Sequence, residues 1–263
     1  MLSDSNARLV AARRLTSPRG RREAGRFLVE GAQGVREALR RPGAVLELFA
    51  TAEALHRHAS VLELAADLPV AEISERAAAG LSETVTPQGL IAVCGLLDRS
   101  LNEVLAGCPR LVAVLVEANE PGNAGAILRT ADAAGADAVL LAGNSVDIYN
   151  GKAVRATAGS LFHLDVVVDS NAVGAVTACR AAGLQTLATT GSADEDLDQL
   201  LDQGALGGPT AWIFGNEARG LPDEVLALAS RRVRVPIHGK AESLNLAAAA
   251  AVCLYSSARA QRR

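Results

Sequence analysis

Aromatic side chains make up only 3% of this 263-residue chain. That scarcity excludes base recognition built mainly on stacked rings. Lysine is nearly absent: Lys152 and Lys240 are the two in the chain, and arginine carries the rest of the positive charge. Together with the many alanines, this points to genome composition bias. The four cysteines, Cys94, Cys108, Cys179 and Cys253, lie far apart with no C-x-x-C pair. None stands at a zinc-ligand spacing from His56, His58, His163 or His238, so neither a metal site nor a disulfide framework is expected. Dispersed, reduced thiols fit a cytoplasmic protein. No apolar run approaches a membrane span; "LAAAAAVCLY" is too short and only mildly apolar. The charged start lacks the apolar stretch of a secretory signal.

What is present is a large apolar fraction, 49%, enough to bury a full core across one or two domains. The net charge of -3 is uneven. Residues 1 to 41 hold ten arginines (Arg8, Arg13, Arg14, Arg19, Arg21, Arg22, Arg26, Arg36, Arg40 and Arg41) against four acids, a local net of +6. A basic segment on an acidic protein suggests a polyanionic partner, nucleic acid first, or else a solvated terminus.

Two regions of alternating strand and helix patterns follow. In residues 26 to 96, "FLVEG", "AVLELFA", "VAEIS" and "GLIAVCG" read as strands. "AQGVREALRR" and "AEALHRHASVLELAA" between them have helical spacing. Residues 97 to 109 read as a linker with one helical turn. From residue 110 the alternation restarts with continuous apolar strands, the pattern of a mainly parallel sheet covered on both faces. Ligands bind such sheets beyond the carboxyl ends of the strands, which directs attention to the loops there.

Three of these loops are unusual. "EANEPGNAGAILRTADAAG" carries Gly122 and Gly125, with Asn123 placed to cap a helix and Arg129 in its second turn. Its G-x-x-G spacing is not the dinucleotide fingerprint. "WIFGNEARGL" runs from Gly215 to Gly220 through Asn216, Glu217 and Arg219; Leu221-Pro222 stands where a phosphate loop needs Lys-Ser/Thr. "VRVPIHGKAESLNLAAAAAVCLY" ends a strand at Pro236, or makes it an edge strand, and starts a helix that Ser243 or Glu242 can cap. Asn245 then falls in the first turn, where asparagine is a weak helix former.

In this order, "NEPGNAGAILRTADAAGA", "IFGNEARGLP" and "VRVPIHGKAESLNLAAAAAV" resemble the three motifs of the SpoU/TrmH family of RNA ribose 2'-O-methyltransferases. "GKAVRATAGSLFHL" resembles a further family segment, with Asn150-Gly151 where many relatives have a proline before the lysine. Within the family the likeness is to the thiostrepton-resistance type acting on 23S ribosomal RNA.

The resemblance implies an α/β fold in four parts: a basic arm (1–25), a ribosomal-protein-like (L30e-like) RNA-binding domain (26–96), a linker (97–109) and an α/β-knot (SPOUT) methyltransferase domain (110–263). The last would be tied in a trefoil knot, although chains rarely knot. It further implies a homodimer whose active sites combine residues of two subunits. S-adenosylmethionine would contact Ala188, Thr189, Gly215, Val235, Ile237 and Leu244. Asn123, Arg129, Glu217, Ser243 and Asn245 match polar active-site positions. Arg19, Arg22, Arg26, Lys152 and Arg155 are the expected RNA contacts. Arg129 would stabilise a developing alkoxide or act as the base, the former being easier because guanidinium stays protonated. Transfer RNA is the alternative substrate, and a non-catalytic RNA-binding relative the alternative role.

Overall fold

The computed structural model describes residues 1–65, 68–169 and 171–262. The chain divides into two compact units: Met1–Leu97 with Asp147–His163, and Asp98–Val146 with Leu164–Arg263.

The first unit begins with helices α1 (Ala7–Arg14) and α2 (Pro18–Ala24). There follow β1 (Arg26–Glu30), α3 (Ala32–Arg40), β2 (Val45–Thr51), α4 (Ala52–Arg57) and α5 (Ala59–Leu62). Then come β3 (Val70–Ile73), α6 (Glu75–Ala79) and β4 (Leu90–Gly95). The four strands form a mixed sheet in the order β1-β4-β2-β3.

The basic arm expected over residues 1–25 holds two helices that belong to the first unit. Leu9, Ala12 and Leu15 are buried with Leu28, Phe49, Ile73 and Ile91, so α1 closes one side of this core. Arg21 is also buried: it donates to Asp147 Oδ2 at 2.7 Å and to the Leu15 and Thr16 carbonyls. A buried guanidinium survives only when paired in this way. The charge count registered ten arginines but not that apolar residues three apart anchor the helix that carries several of them.

The second unit opens with α7 (Leu101–Ala106), where a loop with one helical turn was expected. Ser100 and Glu103 form a capping box, and Val104 is buried among Val112, Val167 and Cys179. The segment is therefore part of the core. The chain continues through β5 (Leu111–Val116), α8 (Pro121–Ala134) and β6 (Ala138–Ala142). It then enters the first unit for residues 147–163, which carry α9 (Gly151–Thr157). Asn150 caps α9 by accepting from the Ala153 N–H, so the unusual Asn-Gly pair makes an ordinary helix start. Back in the second unit are β7 (Asp165–Asp169), α10 (Ala172–Ala181), β8 (Gln185–Thr189), β9 (Glu195–Asp196) and α11 (Leu197–Asp202). β10 (Thr210–Phe214), α12 (Asp223–Leu228), β11 (Arg231–Arg234) and α13 (Leu246–Gln261) complete it.

All seven strands of this unit run parallel, in the order β7-β6-β5-β10-β8-β11-β9. β11 lies inside the sheet and stops before Pro236, which lacks the N–H needed to extend it. The carboxyl ends of β5, β8, β10 and β11 lie side by side, and the three unusual loops leave from three of them.

α13 buries Ala250, Cys253, Leu254, Ser257 and Ala258, one helical face, against α8, β5 and β10. Its small side chains permit close approach. Trp212 on β10 is fully buried and donates its indole N–H to Ser257 Oγ at 2.9 Å. Replacing Ser257 by Ala strands that N–H and is expected to cost about 1–3 kcal/mol. Chemical denaturation measures the loss; an unchanged midpoint would show that the bond adds nothing.

Candidate functional site

One cleft of about 500 Å³ opens at the carboxyl ends of the strands in the second unit. It is lined from three directions: Thr189–Gly191 after β8, Gly215–Glu217 and Gly220 after β10, and residues between Val233 and Ala249 after β11, with Asn123 of α8. The volume lies within the roughly 300–1,000 Å³ of small-molecule sites.

The loop after β10 is held shut by its own backbone. Asn216 and Gly220 exchange N–H to carbonyl bonds at 3.0 and 2.9 Å. A Cβ on Gly215 would stand 2.4 Å from the Gly220 carbonyl carbon, so only glycine permits this return. The Asn216 side chain, nearly buried, accepts from the N–H groups of Ala218 and Arg219 and donates to the Glu117 carbonyl at 2.8 Å. Glu117, the residue after β5, has φ +53°, a left-handed conformation that costs a non-glycine residue about 1–2 kcal/mol. Its N–H donates to the Ala142 carbonyl and its carboxylate pairs with Arg219 at 3.0 Å. The ends of β5, β6 and β10 are thereby tied together.

This clamp presents Glu217. Its Oε1 accepts from Asn123 Nδ2 at 3.1 Å and its Oε2 from the Asn119 N–H at 3.4 Å. Partial burial pushes this carboxyl up, but hydrogen bonds from Asn123 and from the backbone of residues 217, 119 and 120 outweigh it. The net shift is below the usual 4.5. Asn123 is not a helix cap: Glu120 caps α8 by accepting from the Gly122 N–H at 2.9 Å. Proline at the first helical position puts Asn123 in the third, free to reach the neighbouring loops.

The cap of α13 is likewise displaced. Neither Ser243 nor Glu242 fills that role; Asn245 does, its Oδ1 accepting from the N–H groups of Ala247 at 2.9 Å and Ala248 at 3.4 Å. Asn245 Nδ2 also donates to Asn123 Oδ1 at 3.0 Å. The asparagine that looked misplaced in a first turn is the residue that ends the loop.

Of the expected active-site residues, Asn123, Glu217, Ser243 and Asn245 thus share the cleft, but Arg129 does not line it. Arg129 is exposed on α8, with no hydrogen-bond or ion-pair partner among the described residues. Of the expected cofactor contacts, Thr189, Gly215, Val235, Ile237 and Leu244 line the cleft. Ala188 does not: it is fully buried, paired to Ile213 and Arg232 within the sheet. Asn216 escaped the expected set although it organises the loop; an Asx turn after a glycine was the available signal.

The walls suit a cofactor with an apolar ring system and a cation. Ile237 and Leu244 remain 38% and 39% exposed beside the cleft, and Glu217 supplies a negative charge. Among the described residues no group of three or more histidine, cysteine or acidic side chains stands close enough to hold a metal ion.

The expected RNA contacts lie in the first unit. Arg22 and Arg26 are exposed without a partner among the described residues, and Arg19 is exposed beside Glu23. Lys152 is exposed, whereas Arg155 is partly buried, 3.6 Å from Glu30 and 3.9 Å from Glu83.

The model of the SpoU rRNA methylase family matches residues 110–255, more than half of the chain and all of the cleft. The chain belongs to the SpoU rRNA methylase family. An MRM3-like substrate binding domain, the companion module, matches residues 6–92, helices α1 and α2 included. Among relatives, the 23S rRNA (guanosine(2553)-2'-O)-methyltransferase of Bacillus subtilis is 34% identical over 253 residues, 96% of each chain. Among solved structures, the SpoU methyltransferase AviRb of Streptomyces viridochromogenes in complex with AdoMet aligns at TM-score 0.82 and 31% identity. That alignment covers 98% of this chain and 99% of the other. The AdoMet-bound rRNA methyltransferase of Sinorhizobium meliloti aligns at TM-score 0.83 and 29% identity, over 98% and 97% of the two chains.

Glu217→Gln tests the electrostatics of the cleft. A carboxyl whose folded pKa is depressed contributes stability that is present above its unfolded value and lost as pH falls through the folded one. Wild type is therefore expected to be the more stable at pH 7, with the difference closing below about pH 4.5, the ordinary value. Denaturation curves of both proteins between pH 7 and 3 measure it. A difference that stays constant contradicts the assignment.

Proposed function

We propose that this protein is an S-adenosylmethionine-dependent ribose 2'-O-methyltransferase acting on 23S ribosomal RNA. The observation that carries the proposal is the cleft itself: three loops from three parallel strands converge, and Asn123, Glu217 and Asn245 bond to one another across them. When bound, S-adenosylmethionine supplies a methyl group activated by its sulfonium. Val235, Ile237 and Leu244 offer apolar walls for the adenosine, and the backbone of Thr189–Gly191 and Gly215 offers polar atoms at close range. Positioning is the main task here, since the leaving group is already good. Ser243, Asn123 and Asn245 orient the ribose.

Arg129 serves the reaction by its charge. Being exposed and outside the cleft of its own chain, it is available to the cleft of a second subunit, which supports a homodimer. The exposed face of α13 supports it too: Ala248, Val252 and Tyr255 recur at spacings of four and three, Tyr255 being 53% exposed. The trefoil knot belongs to the same reading. β11 lies on the far side of β8 from β10, yet α13 packs on β10 and β5, so residues 235–245 must cross beside the loops after β8 and β10. The RNA is held by the first unit, with Arg19, Arg22 and Arg26 on phosphates and Lys152 as a further contact. A cytoplasmic location follows from a ribosomal substrate.

A methyl-transfer assay with labelled cofactor on 23S rRNA and on transfer RNA tests the activity and separates the substrates. Arg129→Ala is expected to lower turnover by roughly 10²-fold or more while cofactor binding persists. Co-expressed Arg129→Ala and Asn245→Ala chains are expected to regain activity that neither has alone, because a mixed dimer holds one intact composite site. Near-wild-type turnover by Arg129→Ala, or no complementation, would count against the shared site.

Truncating the first 22 residues cannot test the RNA surface, since Leu9, Ala12 and Leu15 belong to the core. Replacing Arg19, Arg22 and Arg26 together by Ala leaves that core intact. RNA affinity is expected to fall, and the log-log salt slope to shrink by roughly 0.7–0.9 for each lost phosphate contact. Affinity for S-adenosylhomocysteine is expected to stay constant. An unaltered salt slope would remove these arginines from the interface.

A further inference from the structure

The bonds joining Glu217, Asn123 and Asn245 run in one direction, and both ends dictate it. At one end the carboxylate of Glu217 can only accept, so the part of Asn123 that meets it is the NH2 group. At the other end Asn245 faces two backbone N–H groups at the start of α13, so the part of Asn245 that meets them is the oxygen. Asn245 is left with its NH2 group, and this meets the Asn123 oxygen. Turning either amide over would set oxygen against oxygen or N–H against N–H.

The donor inventory then follows. Both lone pairs of Asn245 Oδ1 are engaged by α13, and one of its two N–H bonds goes to Asn123. Its remaining N–H has no partner among the described residues. Toward the cleft it lines, Asn245 can therefore donate but cannot accept. Such a group stabilises an oxygen that gains negative charge, but cannot itself take the hydroxyl proton.

We propose that Asn245 donates this free N–H to the ribose 2'-oxygen as charge develops on it. We further propose that Glu217 is a positioning residue that, acting through Asn123, fixes the donor polarity of Asn245. The proposal rests on the methyltransferase reading above. In the step it serves, the 2'-oxygen gains negative charge as its O–H bond loosens toward water and uses a lone pair to form a bond to the methyl carbon. The carbon–sulfur bond breaks with its electron pair kept by sulfur, and the hydroxyl proton passes to water. Donors placed where charge develops act on the transition state more than on the bound substrate. Asn245 supplies a directed bond, and Arg129 a positive charge.

Asn245→Asp separates the donor from the cap. Aspartate caps helices about as well as asparagine, so α13 is expected to keep its start and the unfolding midpoint to stay within about 2–4 °C. Binding of S-adenosylhomocysteine, measured by calorimetry, is expected to remain within a few-fold. Turnover on 23S rRNA is expected to fall roughly 10²- to 10³-fold, because a carboxylate has no N–H to give. Asn245→Ser retains both a cap and a rotatable donor and is expected to lie between the two. Glu217→Gln is expected to lower kcat without changing KM for RNA, and to add little further loss in the Asn245→Asp background, since both changes remove one effect.

Near-wild-type turnover by Asn245→Asp would overturn the proposal, as would a loss of S-adenosylhomocysteine affinity parallel to the loss of turnover. Additive losses in the double variant would overturn the role given to Glu217. Wild type assayed alongside separates the two levels. No transfer by wild type defeats the methyltransferase reading and this proposal together, whereas transfer by wild type and Asn245→Asp alike defeats this proposal alone.

Discussion

The arrangement of the cleft depends on one amide. Asn245 caps α13 with its oxygen and holds Asn123 with its nitrogen, so the start of the last helix and the start of α8 are fixed against each other by a single side chain. Asn123 passes the constraint to Glu217, and the clamp of Asn216 with Glu117 holds that loop against the end of β5. Three segments far apart in sequence, with Asn123 some hundred residues from the other two, become one wall. None of these bonds is strong alone, each contributing about 1 kcal/mol. Their value lies in fixing orientation within a cleft that opens to solvent.

The wall is reliable because what lies behind it is rigid. α13 carries Asn245 at one end and packs through Ala250, Cys253, Leu254, Ser257 and Ala258 on its buried face. Cys253 and Leu254 are fully buried, and Trp212 bonds to Ser257. Burying a leucine-sized side chain contributes about 1.5–3 kcal/mol. The helix is thus held by the core along its length and exposes its chemistry only at its first turn. Ala250 and Ala258, which looked like compositional noise, lie on the buried face and allow that close packing.

Much of this was legible before any coordinates. Continuous apolar strands such as Leu111–Val116 announced a covered parallel sheet, and Gly215 and Gly220 marked a tight return after a buried strand. What resisted was the choice between near neighbours. Ser243 and Asn245 both cap helices well, and only the path of residues 235–245 decides which meets α13. Glu120 outcompetes Asn123 for α8 in the same way, because Pro121 sets where the helix begins. Ala188 lies next to Thr189 along the strand, but strand alternation and pairing on both sides bury it while Thr189 reaches the cleft. In residues 1–25 the run of arginines obscures the few apolar positions, Leu9, Ala12 and Leu15, that fold it. Arg21 shows how far this can go: the sequence offers no sign that one of ten similar arginines belongs inside, bonded to Asp147.

That pair also bears on how the chain is made. Residues 147–163 are encoded between β6 and β7 of the second unit but pack in the first. A nascent chain that has exposed residues 1–97 still lacks α9 and the partner of Arg21. The first unit can be finished only after β5, α8 and β6 have emerged, when β5 still awaits β10, made nearly a hundred residues later. Neither unit is a single stretch of chain, and a cut between them at any single peptide bond leaves at least one incomplete.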